Sequence, residues 1–328
     1  MELLIFGYFA GLALGFTLLW FSGGWVIKYS VKTANLFHVT TLFIGFFLVA
    51  VATSLPELAV IFISAIKNAH EISVGTIIGS LIADIGFALG ITSFFVKSIS
   101  ITKKDSRNMV AMLVVSTIIM ILLFYIKNLN NLIGLFLIFT YLILIWWIWR
   151  DQATLKEAMQ TKEEILQVVN SNKKRKFFWT SKSGILIKLF LSLVLMFFAS
   201  EIIVRFIIKI ADYFSYSRHI IGATISGMGT SIPELTLGIS AVRKKELPLA
   251  LGNIIGSVLG EATFLLGAAV LVSPTIVNLK ELNTLIPFLF LSLGIAIYAL
   301  ARNNAFKRVH GILVFIVFIT FMIYHLFF

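Results

Sequence analysis

Apolar residues run along the chain in long blocks that short polar patches interrupt. The blocks cover residues near 3–27, 40–66, 72–96, 108–126, 129–149, 184–210, 219–242, 248–273, 283–301 and 309–327. A helix of this length can cross the hydrocarbon core of a bilayer, which is about 30 Å thick. The pattern therefore predicts an all-α membrane protein with about ten transmembrane helices.

The composition agrees with this pattern. Of the 328 residues, 59% are hydrophobic and 13% are charged, and the mean hydropathy is +1.00, which is far from the balance of soluble domains. The first residues, "MELLIFGYFAGLALGF", have no basic start and no small-residue cleavage site, so we expect a retained span and not a signal peptide. The absence of cysteine excludes disulfides and thiolate metal sites.

The net charge of +12 follows the predicted loops. If the N-terminus is outside, 21 of the 27 Lys and Arg residues fall in or next to cytoplasmic loops, and six fall outside. This is the asymmetry of the positive-inside rule. We therefore expect a multi-pass protein of the cell membrane with its N-terminus outside, in contact with the lipid bilayer and without a nucleic acid partner.

One long polar connection divides the chain. We expect a first five-helix repeat at 1–150, a cytoplasmic linker at 151–183 and a second five-helix repeat at 184–328. Five is an odd number, so two related halves must have opposite orientations in the membrane. Inverted repeats with a site near the middle of the bilayer are typical of secondary transporters.

A shift of 177 residues without a gap shows that the halves are related. It aligns "ATSLPELAV" at 52–60 with "GTSIPELTL" at 229–237, and "GTIIGSLIADIGFALG" at 75–90 with "GNIIGSVLGEATFLLG" at 252–267. These motifs lie within repeat cores that we place at 41–96 and 218–273.

The two cores place carboxylates and hydroxyls inside apolar blocks. Residues four apart share a helix face, and four such pairs occur: Thr53 with Glu57, Ser80 with Asp84, Thr230 with Glu234, and Ser257 with Glu261. Pro56 also removes the hydrogen bond that would satisfy the Ala52 carbonyl. If the halves pack face to face, this set offers the 6–8 oxygens that Ca²⁺ prefers.

Structural explanations exist for several of these residues. A Ser or Thr in a membrane helix often bonds the carbonyl four residues back, and Gly75 and Gly79 are expected to allow close helix contact. A buried carboxylate is different, because it costs about 2.5 kcal/mol or more at the centre of a membrane helix. Glu201 is expected to form a structural ion pair with Arg205, so it is left out of the site.

The doubled motifs resemble the two alpha-repeats of the cation/calcium exchanger superfamily, which includes sodium/calcium exchangers. The resemblance implies that Glu57 and Glu234 are the central ligands of Ca²⁺ and Na⁺. It also implies ligands from the hydroxyls or carbonyls of Thr53, Ser54, Thr230, Ser231, Ser80 and Ser257, with the Ala50 and Gly227 carbonyls as weaker candidates. Asp84 and Glu261 occupy the position four after the serine, where the family often has Asn or Asp.

This sequence departs from the family pattern at several positions. Thr76, Leu81 and Val258 stand where the family often has amides, and Ala52 replaces a glycine. Asp84 together with Glu261 gives the cluster a formal charge of −4, so the counter-ion stays open between Na⁺, K⁺ and H⁺.

The expected function is a secondary-active antiporter that exchanges Ca²⁺ for a monovalent cation, with Na⁺ preferred. A cation channel is an alternative, although two inverted halves in one chain favour an exchanger. A membrane enzyme is disfavoured, because no phosphate loop, HExxH motif or protease-like carboxylate dyad occurs. No cofactor is expected, and the oligomeric state is left open, a monomer being compatible with the sequence.

Overall fold

The computed structural model describes residues 2–37, 39–54, 57–58, 61–62, 70–126, 128–169, 182–213, 224, 227–276 and 283–327. The helices of the first half are α1 (Glu2–Phe37), α2 (Thr41–Thr53), α3 (His70–Ala83), α4 (Gly90–Phe94), α5 (Lys103–Tyr125) and α6 (Asn131–Val169). Those of the second half are α7 (Lys182–Tyr213), α8 (Gly227–Thr230), α9 (Ile232–Lys244), α10 (Leu247–Gly260), α11 (Leu266–Val272), α12 (Ile286–Asn303) and α13 (Arg308–Phe327).

Eight stretches of helix in the described ranges are long and apolar enough to cross a membrane. Two of the ten predicted spans do not form such a stretch: α2 stops at Thr53, and the seventh span is divided into α8 and α9. The fold class is confirmed as an all-α membrane protein of two inverted five-helix repeats. Its two interrupted spans are those that carry the Thr-Ser-x-Pro-Glu motifs.

Two helices extend beyond their predicted spans. The first block was expected to end near residue 27, but α1 continues to Phe37. The apolar part of α6 ends at Arg150, and the helix continues to Val169. This extension, "DQATLKEAMQTKEEILQVV", is rich in strong helix formers such as Ala, Leu, Glu, Lys and Gln, so it stays helical after it leaves the apolar region.

Two short antiparallel ladders connect the halves. Strand β1 (Ser98–Ser100) pairs with β4 (Ala305–Lys307), and β2 (Asn128–Leu129) pairs with β3 (Thr275–Ile276). The shift of 177 residues places β1 on β3 and β2 on β4. The two ladders are therefore two copies of one contact, as expected of inverted repeats.

The centre of the molecule is formed by α3–α4 and α10–α11. Their spans are 78% and 83% buried, whereas the other candidate spans are at most 50% buried. Glycines make this packing possible: a Cβ on Gly45 would lie 2.6 Å from the Leu249 carbonyl oxygen, and one on Gly256 would lie 2.6 Å from that of Phe46. Since small residues let helix backbones approach, α2 lies directly against α10.

The expectation for Gly79 is confirmed and that for Gly75 is wrong. A Cβ on Gly227 would lie 2.6 Å from the Gly79 carbonyl carbon, so the start of α8 packs directly on α3. A Cβ on Gly75 would meet nothing within 4 Å among the described residues. Gly75 is four residues, about one helical turn, before Gly79.

Candidate cation-binding site

Both helix interruptions fall at the serine of the repeated motif. Ser54 has φ −84° and ψ 9°, and Ser231 has φ −79° and ψ 2°, so both leave helical geometry in the same way. Glu57 and Glu234 each follow three residues later. The interruption brings a hydroxyl, a carboxylate and the end of a helix together in the interior of each repeat.

Proline lies just after the interruption. Pro233 is in the first turn of α9, where its missing N–H is tolerated. The Gly229 carbonyl consequently has no N–H four residues later to accept from. Pro56, for which the same effect was predicted, lies outside the described residues.

The two carbonyls suggested as weaker ligands accept hydrogen bonds from their own repeats. The Thr53 hydroxyl donates to the Ala50 carbonyl at 3.1 Å, and the Thr230 hydroxyl donates to the Gly227 carbonyl at 3.1 Å. The next backbone N–H groups, of Ser54 and Ser231, donate to the same carbonyls at 3.0 and 3.3 Å. These bonds already use both lone pairs of each carbonyl oxygen, so an ion that binds here would have to displace one of the donors.

The second pair of acidic residues lies where helices widen. Asp84 begins a π-helical turn at Asp84–Leu89, and Glu261 begins one at Glu261–Leu265. Such turns are rare and often occur at functional sites. One turn earlier, on the same two helices, lie Ser80 and Ser257.

Polar side chains of the two repeats meet across their interface. The Thr53 hydroxyl lies 3.1 Å from the Asn253 side-chain oxygen, and the Ser54 hydroxyl lies 3.3 Å from that of Ser257. The Ser80 hydroxyl donates to the Glu261 carboxylate at 2.8 Å. Within the second repeat, the Ser257 hydroxyl donates to Glu234 at 3.3 Å. The interface therefore brings together the two motifs of each repeat.

The threonines also lie beside carboxylates of the opposite repeat. The Thr230 side chain interacts with Glu57, and that of Thr53 interacts with Glu234. Because the shift of 177 residues exchanges these two pairs, they are equivalent under the internal symmetry. Each hydroxyl also lies 3.1 Å from a backbone carbonyl of its own turn, and its oxygen lone pairs remain available to a cation.

All four carboxylates are fully buried and largely lack donors. Glu57, Asp84, Glu234 and Glu261 each have 0% exposed surface. Among the described residues, no hydrogen-bond donor reaches either oxygen of Glu57 or of Asp84, or one oxygen each of Glu234 and Glu261. Buried charged groups without partners cost several kcal/mol. Cations or protons must compensate them.

The carboxylates lie near one another but do not form one compact cage. Glu57 is within electrostatic range of Glu234 and Asp84, and Glu261 is within range of the other three. Across the part of the chain that the structure describes, no three acidic or histidine side chains are close enough to hold one metal ion together. Neutral oxygens must therefore complete the coordination of any single ion.

Asn253 is a polar residue of this interface that was not among the predicted ligands. It is fully buried, its side-chain oxygen contacts Thr53, and its Nδ2 atom has no acceptor within reach among the described residues. The 177-residue shift places Asn253 opposite Thr76 in the motif. The sequence signal that could have identified it is an amide side chain inside an apolar block, within the aligned motif "GNIIGSVLGE".

Comparisons with known proteins cover both repeats. The sequence profile of the family described as "sodium/calcium exchanger protein" matches residues 7–150 and 185–327. An uncharacterised membrane protein of Methanocaldococcus jannaschii is 28% identical over 313 residues, which is 95% of each chain. The sodium/calcium exchanger MaX1 of Methanosarcina acetivorans is 24% identical over 95% of this chain and 96% of its own. Among solved structures, the sodium-calcium exchanger NCX_Mj soaked with Na⁺ and Sr²⁺ has the same fold, with a TM-score of 0.77 and 24% identity over 98% of both chains.

Proposed function

Because the chain belongs to the sodium/calcium exchanger protein family, we propose that it exchanges Ca²⁺ for Na⁺ by alternating access at the interface of its two repeats. The family is one of transporters, and the chain is accordingly a multi-pass cation antiporter and not an enzyme. The identity of both ions and the position of their site are the parts that we propose.

One observation carries this proposal. Four fully buried carboxylates from both repeats lie beside hydroxyl groups at the centre of a membrane protein, and most of their oxygens lack hydrogen-bond donors among the described residues. Intramembrane carboxylates of this kind indicate an ion pathway. We assign Glu57 and Glu234 as the central ligands, with Thr53, Thr230, Ser54 and Ser231 beside them.

The side chains at this site suit a hard cation. They offer carboxylate, hydroxyl and amide oxygens, whereas the chain has no cysteine. Ca²⁺ takes 6–8 oxygen ligands in flexible geometry. Carboxylates of opposite repeats supply the negative charge. Because fewer than three acids of the described residues converge on one point, neutral oxygens must complete the coordination, and Ser80, Ser257 and Asn253 can supply them.

Alternating access follows from the inverted architecture. The interrupted helices of the two repeats are equivalent, so a small rearrangement of one repeat against the other can expose the same ligands to either side of the membrane. The Ala50 and Gly227 carbonyls lie in the last helical turn before each interruption. We place the site near the midplane, with the N-terminus of the chain outside the cell membrane.

Na⁺ is the counter-ion that we propose. It competes for the same oxygen ligands, and the relative from Methanosarcina acetivorans is named for sodium/calcium exchange. Protons are the second candidate, because protonation also compensates the carboxylate oxygens that lack donors. K⁺ remains a third, since four acids exceed the charge of one Ca²⁺.

Calcium flux into proteoliposomes tests the proposal. Uptake is measured while a Na⁺, K⁺ or H⁺ gradient is imposed in turn, and we expect the Na⁺ gradient to drive it. Uptake driven only by H⁺ or K⁺ would show that this ion, and not Na⁺, is the counter-ion, and it would not contradict the calcium site. Rapid calcium conductance with no ion on the opposite side would contradict exchange and favour a channel.

A further inference from the structure

Three lysine ammonium groups surround one tyrosine ring where α1 meets α7. The Nζ atoms of Lys28, Lys32 and Lys188 lie 5.7, 5.8 and 5.7 Å from the centre of the Tyr29 ring. Lys28 and Lys32 are exposed, while Tyr29 is half-buried. Three like charges within 5.8 Å of one ring centre repel one another, so an anion among them would stabilise the arrangement.

The surroundings of this lysine cluster add positive charge. The Lys244 ammonium group donates to the carbonyl of Gly24, one turn before Lys28 on α1. Arg243 stacks on the Trp20 ring of the same helix, with 4.8 Å between the guanidinium carbon and the ring centre. Among the described residues, no carboxylate lies within ion-pairing distance of Lys28 or Lys32.

The internal repeat shows what this cluster lacks. The 177-residue shift pairs Gly24 with Glu201, Lys28 with Arg205, Tyr29 with Phe206 and Lys32 with Lys209. In the second copy, Lys209 again lies over the aromatic ring, at 5.4 Å from Phe206, and Glu201 forms an ion pair with Arg205. The first copy has Gly24 in place of that acid. The first copy therefore lacks a carboxylate one turn before Lys28.

The cluster lies where the headgroup of a phospholipid would lie, next to exposed apolar side chains. Lys28 directly follows the first predicted span, and the preceding turns of α1 expose Phe21 and Trp25, at 58% and 49%. On α7, Phe190 and Leu191 follow Lys188 further into the predicted span and are 65% and 56% exposed. Apolar surface for acyl chains thus lies beside cations at the end of the apolar region.

We propose that Lys28, Lys32 and Lys188 bind the phosphate headgroup of an anionic phospholipid. Basic pockets between transmembrane helices suit such headgroups. The acyl chains lie along the exposed apolar faces of α1 and α7, and Tyr29 supports the three lysine stems. Because α1 belongs to the first repeat and α7 to the second, the lipid connects the two repeats. This binding does not depend on which ion is transported.

Native mass spectrometry of the detergent-purified protein tests the site. Dioleoyl phosphatidylglycerol, dioleoyl phosphatidylcholine and inorganic phosphate are titrated separately. We expect the wild type to retain phosphatidylglycerol, and neither of the other two at the same concentration. The variant K28Q/K32Q/K188Q should bind phosphatidylglycerol on the order of 100-fold more weakly, at about tenfold per 1.4 kcal/mol and about 1 kcal/mol per lysine.

The variant K103Q/K104Q/R107Q is the matched control, since it removes three cations from the start of α5. It should retain the lipid as the wild type does. Equal weakening in both triple variants would mean unspecific attraction and would overturn the proposal. Unchanged binding in the lysine variant would also overturn it, as would inorganic phosphate binding as tightly as the lipid.

A single substitution tests the same site without removing any lysine. A Cβ on Gly24 would meet only the flexible end of Lys244, at 3.8 Å, and Gly24 has no positive φ, so Gly24→Glu is compatible with the fold. Its carboxylate would lie one turn before Lys28, as Glu201 does before Arg205. We expect about fivefold weaker phosphatidylglycerol binding, with Gly24→Gln unchanged. Equal affinities of Gly24→Glu and Gly24→Gln would contradict the proposal.

Discussion

At the residue scale, Glu57 and Glu234 are the side chains on which the proposed transport depends most. Each follows a helix interruption, each is fully buried, and each lies beside the threonine of the opposite repeat. A carboxylate in this setting contributes full charge to a cation with little screening by water. Its amide isostere keeps the shape and loses the charge.

We predict that Glu57→Gln or Glu234→Gln nearly abolishes calcium uptake while the protein still folds. Losing one charge-assisted contact of about 1.5–3 kcal/mol would weaken calcium binding about 10- to 100-fold. Gradient-driven calcium uptake in proteoliposomes measures the effect, and size-exclusion chromatography checks folding. Substantial uptake by either variant would contradict the assignment.

Glu201→Gln is the matched control for these two variants. The predicted ion pair with Arg205 is present, and Arg205 lies on the surface with 71% of its side chain exposed. Exposed pairs one helical turn apart stabilise by only about 0.3–0.5 kcal/mol. Calcium uptake should therefore stay at the wild-type level, with at most a small loss of thermal stability.

A second prediction concerns Asp84. It repels Glu234 electrostatically and lies beside the Ser231 hydroxyl, but neither of its oxygens accepts a hydrogen bond of normal geometry from the described residues. Bound Ca²⁺ compensates two of the four negative charges, so a proton or a monovalent cation at Asp84 would relieve part of the remainder. We expect Asp84→Asn to retain calcium transport and to weaken its dependence on pH or on a particular monovalent ion.

Flux measured across pH, in Na⁺ and in K⁺, decides this second prediction. Curves that superimpose on those of the wild type would show that Asp84 does not couple transport to a second ion. Loss of all calcium transport would place Asp84 among the essential calcium ligands instead.

At the element scale, the contact of α8 with α3 positions half of the site. Gly227 of the second repeat packs on Gly79 of the first, and Ala50 of the first repeat packs close to Gly256 of the second. The 177-residue shift exchanges these two contacts. Small residues thus bring each interrupted helix against the helix that carries the second acid.

We predict that Gly227→Ala destabilises the protein and lowers transport, whereas Gly75→Ala does neither. The new methyl group at 227 would overlap the backbone of Gly79 and Ser80, which cannot rotate away, and overpacking costs about 1–3 kcal/mol. At 75 the space is open, and alanine is the better helix former. Thermal unfolding in detergent measures both variants; equal melting temperatures would refute the tight crossing.

At the scale of the whole molecule, the distribution of Lys and Arg predicts the orientation. Because the chain has no cysteine, single introduced cysteines report their side of the membrane without background. We predict that Ser171→Cys is labelled by an impermeant reagent only from the cytoplasmic side, and that Asn128→Cys, which is exposed in β2, is labelled only from outside. The reverse pattern would invert the topology. The cysteine-free parent protein is the control.

The sequence by itself determined the class of the molecule and the relation of its two halves, and it supplied the candidate residues of the site. In lipid the backbone N–H and C=O groups of a long apolar block must bond to one another, so such a block forms a helix. Buried acids are costly enough that Glu57, Asp84, Glu234 and Glu261 were recognisable without a structure. The shift of 177 residues showed that the halves are related, and five predicted spans in each half then imply opposite orientations. The family resemblance is confirmed by the profile match over both repeats.

Only the tertiary structure decided how these parts meet. The pairing of β1 with β4 and the contact of Thr53 with Asn253 each join residues of different repeats. The different packing at Gly79 and Gly75 depends on where two helices cross. Local pattern specifies which face of a helix is apolar, but not the register at which two helices touch. The π-helical turns at Asp84 and Glu261 likewise had no signal in the apolar pattern. The four acids were foreseeable one by one because burial acts on each residue, whereas their mutual placement depends on packing between distant segments.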